Sequence, residues 1–159
     1  MNQADDRRYP QRPILGVGAI IIDTVGQALA CSGLQPAANR VLLVERGREP
    51  LKGYWSLPGG AVETGEKLTE GIRREVLEET GLEIELLSVV EIFERIMRDA
   101  AGAVEYHYVL IDYLCRVTGG VLKAGDDVSQ AQWVERACLP QYRITEGTLP
   151  VIEKAFETL

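Results

Sequence analysis

Residues 67 to 80, Lys-Leu-Thr-Glu-Gly-Ile-Arg-Arg-Glu-Val-Leu-Glu-Glu-Thr, constrain the fold more than any other stretch. The run holds no proline and stops at Gly81, the residue type favoured just past a helix C-terminus. On a helical wheel Leu68, Ile72 and Val76 fall at roughly 0°, 40° and 80° and make a stripe for burial. Glu78, Glu75 and Glu79 fall at roughly 280°, 340° and 20°, so three carboxylates share a face that overlaps the edge of that stripe. Like charges at i,i+4, as in Glu75 and Glu79, repel by about a few tenths of a kcal/mol even when exposed. Partial burial raises the cost and pushes protons onto the acids. A hard divalent cation lifts both penalties, since Mg²⁺ takes oxygen ligands, commonly a few carboxylates plus substrate phosphates. A plain solvated acidic face is the competing reading; the apolar overlap weighs against it without excluding it.

Two more residues of this helix matter. Arg74 precedes Glu78 by one turn and can pair with it, fixing its rotamer. Gly71 costs about 1 kcal/mol of helix propensity relative to alanine. The missing side chain leaves room for a loop or a ligand to approach the backbone; a simple propensity lapse is the alternative.

Just upstream, Leu57-Pro58-Gly59-Gly60 is a turn whose glycines reach backbone conformations closed to other residues. From Gly60 the chain runs through five residues to Glu66, then seven more to Arg74-Glu75-Val76, Leu77, Glu78-Glu79, Thr80 and Gly81-Leu82. In this spacing the chain resembles the Nudix hydrolases and their signature box. The resemblance implies an α+β protein, an α/β/α sandwich with a central mixed β-sheet and the box as loop-helix-loop. It implies that Glu75, Glu78, Glu79 and the Gly60 carbonyl hold Mg²⁺ or Mn²⁺, with Arg74 orienting the acids and Glu66 bracing the loop. It also implies hydrolysis of a nucleoside diphosphate linked to another group. Gly71, where alanine is more usual, departs from the family pattern and should shift packing rather than chemistry.

The rest of the chain suits that order of elements. Leu15 to Ile22 reads as a strand buried on both faces, and Arg40 to Glu45 as a second. Asp23 to Asn39 is rich in small residues and proline and reads as a long loop, as does Arg46 to Gly60. Ile84 to Phe93 and Tyr106 to Arg116 are β-rich, Trp133-Val134 suggests a short final strand, and Pro150 to Leu159 a closing helix with proline in its first turn. One domain over 13–159 is expected behind a polar, mobile tail over 1–12.

A net charge of −7 argues against a nucleic-acid partner, because phosphates are repelled without a basic patch. Small phosphorylated substrates remain compatible, since bound cations reverse the local sign. No apolar run reaches the roughly 18 to 20 residues that a membrane helix needs, and the N-terminal stretch lacks the apolar core of a signal peptide. Cys31, Cys115 and Cys138 are odd in number and unpatterned, as reduced thiols of a cytoplasmic protein would be. A homodimer is left open.

Substrate contacts are expected from the loop before the box, where Arg46 or Arg48 could meet phosphate and Trp55 or Tyr54 could stack a base. Arg95 is a similar candidate. For each, solvation or plain packing is the alternative. Asp127, with Asp126, lies where many family members place a further metal-binding acid, although Gly-Asp-Asp is also an ordinary turn. Glu79, nearest the apolar edge, is the first choice of general base. His107, the only histidine, falls on a strand beside Val109 and Ile111 and is expected to be half-buried and satisfied rather than catalytic. The texture around the box is most similar to the ADP-ribose pyrophosphatase branch, with ADP-ribose or a related nucleotide sugar split to AMP and a sugar phosphate. Nucleoside triphosphate pyrophosphohydrolysis, oxidised nucleotides included, is the alternative within the class. A non-catalytic nucleotide sensor is the alternative outside it, and the intact acids speak against that.

Overall fold

A computed structural model of the chain describes residues 7–24 and 39–159. The elements are β1 (Ile14–Thr24), β2 (Asn39–Arg46), β3 (Trp55–Ser56), β4 (Gly59–Ala61), α1 (Leu68–Thr80), β5 (Leu82–Arg98), β6 (Val104–Gly120), β7 (Val128–Glu135) and α2 (Thr148–Glu157). They build a seven-stranded sheet in the order β3-β2-β1-β6-β5, with β4 on β1 and β7 on β2. Only the β1–β6 pair is parallel among these strands, so the sheet is mixed.

β1 is apolar without alternation because a helix covers each face at its level. Val17, Ala19 and Ile21 pack with Ile72 and Val76 of α1 on one side. Ile20 packs with Val151, Ile152 and Phe156 near α2 on the other. This is the expected α/β/α sandwich, and it leaves the edges of both helices near the ends of the central strands.

α1 starts and stops as its sequence suggests. The Lys67 N–H donates to the Glu70 carboxylate at 3.1 Å, satisfying a first-turn donor. Gly81 takes φ 70° and its N–H donates to the Leu77 carbonyl, so a left-handed residue closes the helix. Gly71 makes room for a loop: a Cβ there would meet Glu66 Oε2 at 2.9 Å.

Three expectations differ in extent. The stretch 46–60 is not all loop, since β3 and β4 lie in it; at two and three residues they are too short to show any periodicity. β5 and β6 each run to 17 residues, well beyond 84–93 and 106–116, as one long antiparallel hairpin. Its outer part, Glu94-Arg95-Ile96-Met97-Arg98 on the edge strand, breaks the polar–apolar alternation that marks a strand in sequence. In the expected free tail, Arg8 pairs with Glu105 at 2.9 Å and the Tyr9 hydroxyl donates to Asp99 at 2.9 Å, holding that stretch on the hairpin. Residues 1–6, the interior of the long loop (25–38) and Cys31 lie outside the described residues. Cys115 and Cys138 are free thiols. Among the described residues no helix is long and apolar enough to cross a membrane.

Candidate active site

The acids of α1 open into a cleft of about 560 Å³ between the sheet, the 46–51 loop and the start of α2. Glycines set its shape. Gly16 and Gly18 face the cleft from β1, where a Cβ on Gly16 would meet Leu110 Cδ2 at 2.7 Å and one on Gly18 would collide with the Asp112 carboxylate. Gly59 and Gly60 bring β4 against β1 and against α1, because a Cβ on Gly60 would strike the Glu75 carboxyl.

At the α1 end, Arg74 is the hub. Its Nε donates to Glu66 Oε1 at 2.7 Å and one terminal nitrogen to Glu66 Oε2 at 3.0 Å, a two-point grip on one carboxylate. The other terminal nitrogen reaches Glu75 at 2.8 Å and Glu78 at 3.3 Å. Arg74 therefore serves Glu66 and Glu75 first, and the expected pair with Glu78 is the weakest contact of the set. Glu66 in turn accepts from the Glu63 N–H at 3.0 Å, which ties the loop to the helix. The Arg74 hydrogen bonds hold the Glu66 carboxyl down at about 2.

The remaining acids carry the opposite perturbation. Burial pushes the Glu79 carboxyl up to about 8, against a hydrogen bond from the Gly59 N–H at 2.9 Å and with Glu75 adding repulsion. Burial also raises Glu75, in spite of Arg74. Glu78 is 59% exposed and reaches solvent. Each acid thus has its own neighbour, and among the described residues no three acid, histidine or cysteine side chains converge tightly enough to form a ready cage. The donor set still fits a hard divalent ion: it is all oxygen, and partial burial raises two of its carboxyls, Glu75 and Glu79, a penalty that a cation would lift.

Arg46 and Asp127 flank the acids. Arg46 Nε is spent on the Pro50 carbonyl at 2.8 Å, and both residues line the cleft. Arg48 pairs with Asp127 at 2.6 Å, and both side chains are exposed. Asp126 does not line the cleft. Arg95 does; its guanidinium sits 5.6 Å from the Phe93 ring and donates to the Glu146 carbonyl, leaving Nε buried without a partner.

Trp55 is a correction. It is buried in the core on the α2 side, meeting Tyr142 edge-on at 5.2 Å, and takes no part in the cleft. The β3 pairing with β2 turns the indole inward, which the sequence of the loop could not show. Tyr54 also lies outside the cleft, with Arg143 at 4.3 Å from its ring. His107 is partly buried and satisfied by Glu94 at 2.9 Å.

Among the lining residues that the sequence did not single out are Arg7 and Asp112. Arg7 reaches the cleft from the tail, and nothing in its polar context marks it. Asp112 is a lone acid in the otherwise apolar run Val-Leu-Ile-Asp-Tyr-Leu-Cys, and that incongruity was a usable signal.

Known proteins are similar to this chain in sequence and in fold. The chain is 39% identical over 114 residues to an ADP-ribose pyrophosphatase of Methanocaldococcus jannaschii, covering 72% of this chain and 65% of that protein. It is 34% identical over 119 residues to the 8-oxo-dGDP phosphatase NUDT18 of Mus musculus, covering 72% of this chain and 34% of that protein. The chain thus spans about two-thirds and one-third of these two relatives. The Nudix domain of Shewanella oneidensis NrtR, solved with ADP ribose, superposes with a TM-score of 0.70 at 24% identity, covering 99% of each chain, and shares the fold. A family model for the NUDIX domain matches residues 14–155. With its acid-bearing helix, its glycine-lined cleft and that match over nearly its whole length, the chain belongs to the Nudix family.

Proposed function

We propose that the chain hydrolyses the diphosphate linkage of a nucleoside diphosphate derivative, foremost ADP-ribose or a related nucleotide sugar, giving AMP and a sugar phosphate. The observation that carries this reading is the pair of half-buried, raised acids, Glu75 and Glu79, at the mouth of a cleft large enough for a nucleotide. The similarity to the M. jannaschii pyrophosphatase supports the substrate class.

Glu75, Glu78, Glu79 and the Gly60 carbonyl would hold Mg²⁺ or Mn²⁺, with Asp127 near enough in charge to contribute. Bound there, such an ion neutralises diphosphate oxygens and makes water a better nucleophile at neutral pH. A water oxygen bonds to one phosphorus while that phosphorus loses its bond to the bridging oxygen, which leaves on the other phosphate. The water proton passes to Glu79, whose buried carboxyl favours its protonated form. Arg74 fixes Glu75 and Glu66 so that the acid end keeps its shape through the reaction. Arg46, on the cleft wall, supplies donors for phosphate oxygens, and Arg95 lines the same wall as a donor for another part of the substrate.

A panel of ADP-ribose, NADH, diadenosine polyphosphates, nucleotide sugars and nucleoside triphosphates, run with Mg²⁺ and with products identified, tests this. AMP from ADP-ribose is the expected result; no turnover of any diphosphate derivative would overturn it. Similarity to the mouse 8-oxo-dGDP phosphatase favours one second reading, cleavage of oxidised purine nucleotides, and the same panel extended to 8-oxo-dGDP separates the two.

A further inference from the structure

Opposite the acids, the cleft floor holds a carboxyl that the hydrolytic chemistry does not use. Asp112 is 6% exposed and lines the open cleft, and no hydrogen bond joins its carboxyl to another described side chain. It sits on β6 opposite Gly18 of β1, and the side chain lies where a Cβ on Gly18 would otherwise be. Its neighbour across the hairpin, Glu91, is already neutralised by Lys154 at 2.8 Å. The charged group that attracts Asp112 is Arg95, whose own Nε is buried and unpartnered. Burial makes a charge at Asp112 unfavourable, and packing alone gives no reason to keep an acid there. Leucine would fill a strand position between Leu110 and Leu114 at less cost.

Its placement relative to the acids is informative. Asp112 pairs with Gly18, Gly18 with Gly59, and the Gly59 N–H holds Glu79. Two strand spacings, about 10 Å, separate the Asp112 backbone from that of Gly59, and the carboxyl itself leans over Gly18 between them. A nucleotide whose diphosphate meets the acids would lay its base along this wall of the cleft. There the cleft offers an acceptor in Asp112, an unpartnered donor in Arg95, and the flat rings of Phe93 and Tyr108. A base edge that presents an amine beside a ring nitrogen or carbonyl matches this set; a phosphate does not, since Asp112 would repel it.

We propose that Asp112 is a specificity-determining residue that accepts a hydrogen bond from the amine of a purine base, with Arg95 donating beside it. The inference rests on the nucleotide reading given above and names the base-recognition end of the same cleft.

Binding can test it without turnover. Calorimetry on the full chain with the α,β-methylene analogue of ADP, whose P–C–P bridge resists hydrolysis, is compared with the purine riboside counterpart, which has neither amine nor ring N–H. The GDP analogue is run beside them. Wild type should prefer an amine-bearing ligand at least tenfold. In Asp112→Leu the preference should fall to within threefold, with Tm unchanged or higher, and Asp112→Asn should fall between the two. No preference in wild type, an equal loss for all ligands, or a drop in Tm that marks a structural role would overturn the proposal. If the preference and its loss are seen but ADP-ribose is not hydrolysed, the base-recognition inference stands and the hydrolytic reading falls. Hydrolysis without the preference gives the reverse.

Discussion

At one end of the cleft Glu75, Glu78 and Glu79 come from adjacent turns of α1, with Gly60, Glu66 and Arg74 supplied by the same short segment. At the other end Phe93, Arg95 and Asp112 come from two strands of a 17-residue hairpin and owe their meeting to its register and to glycines on a third strand. The acid end is a local object whose parts stand in fixed helical phase. The base end is a product of strand pairing, where a one-residue slip would turn Asp112 to the opposite face. Changes at the acid end should therefore strike rate, and changes at the base end should strike choice of ligand.

The sharpest way to break that division is Glu79→Gln. It removes the proposed proton acceptor and a proposed metal-binding oxygen with little change in volume, so kcat should fall by about 10²- to 10⁴-fold. The amine preference in the binding assay should survive. Stability should not fall either. The folded-state carboxyl is raised to about 8, above its unfolded value, so it contributes most stability below about 4.3 and loses it as pH rises through about 8. Gln should flatten that decline in Tm across the same window. A variant near the wild-type rate would remove Glu79 from the chemistry.

Arg74→Ala is next. It strips Glu66 and Glu75 of their shared cation, and rate should drop about 10- to 100-fold as the acids lose their orientation. Stability should fall by about 1–3 kcal/mol, since hydrogen bonds to charged partners are lost and a partly buried carboxylate is left alone. Arg74→Lys should restore part of the stability but little of the rate, because a point charge cannot reproduce the two-point grip on Glu66. Restoration of full rate by lysine would show that charge alone, not geometry, is what Arg74 supplies.

These contrasts explain what could be read from the chain beforehand. α1, its cap at Gly81 and the glycine turn were legible because helix periodicity and left-handed glycine are local properties. So was the perturbation of Glu79, which followed from its wheel position on the edge of the buried stripe. Trp55 was misread because two residues of pairing with β2 decide which way its ring points. Asp112 was passed over because its meaning depends on Gly18 nearly a hundred residues earlier. The length of β5 and β6 was missed because an edge hairpin carries charges on its open side and so loses the apolar continuity that marked β1.

Added Mg²⁺ sharpens the comparison by acting on one end only. At 100-fold above Kd a ligand that binds the folded state adds about 2.7 kcal/mol, or several degrees in Tm for a domain of this size, on the order of 2–4 °C per kcal/mol. Burial raises the Glu79 carboxyl to about 8, so at pH 5.5 the ion must displace a proton that is mostly gone by pH 8.5. The Tm increment should therefore be larger at pH 8.5. Equal increments at both pH values would mean that the ion sits elsewhere. Asp112→Leu should leave the increment unchanged.

Glu66 gives the smallest effect and the opposite sign. Its carboxyl lies at about 2, held there first by the Arg74 hydrogen bonds and then by the Glu63 N–H. A depressed acid contributes stability above its unfolded pKa of about 4.3 and loses it as pH falls toward the folded value. The Tm gap between wild type and Glu66→Gln should thus be widest above pH 5 and close between about pH 4 and 2. Glu79→Gln should show its own change only at higher pH, so the two variants report on separate windows of one helix. If the Glu66 gap instead persisted to pH 2, the ion pair with Arg74 would not be its source, and the loop would have to be held by the Gly71 approach and the backbone contacts alone.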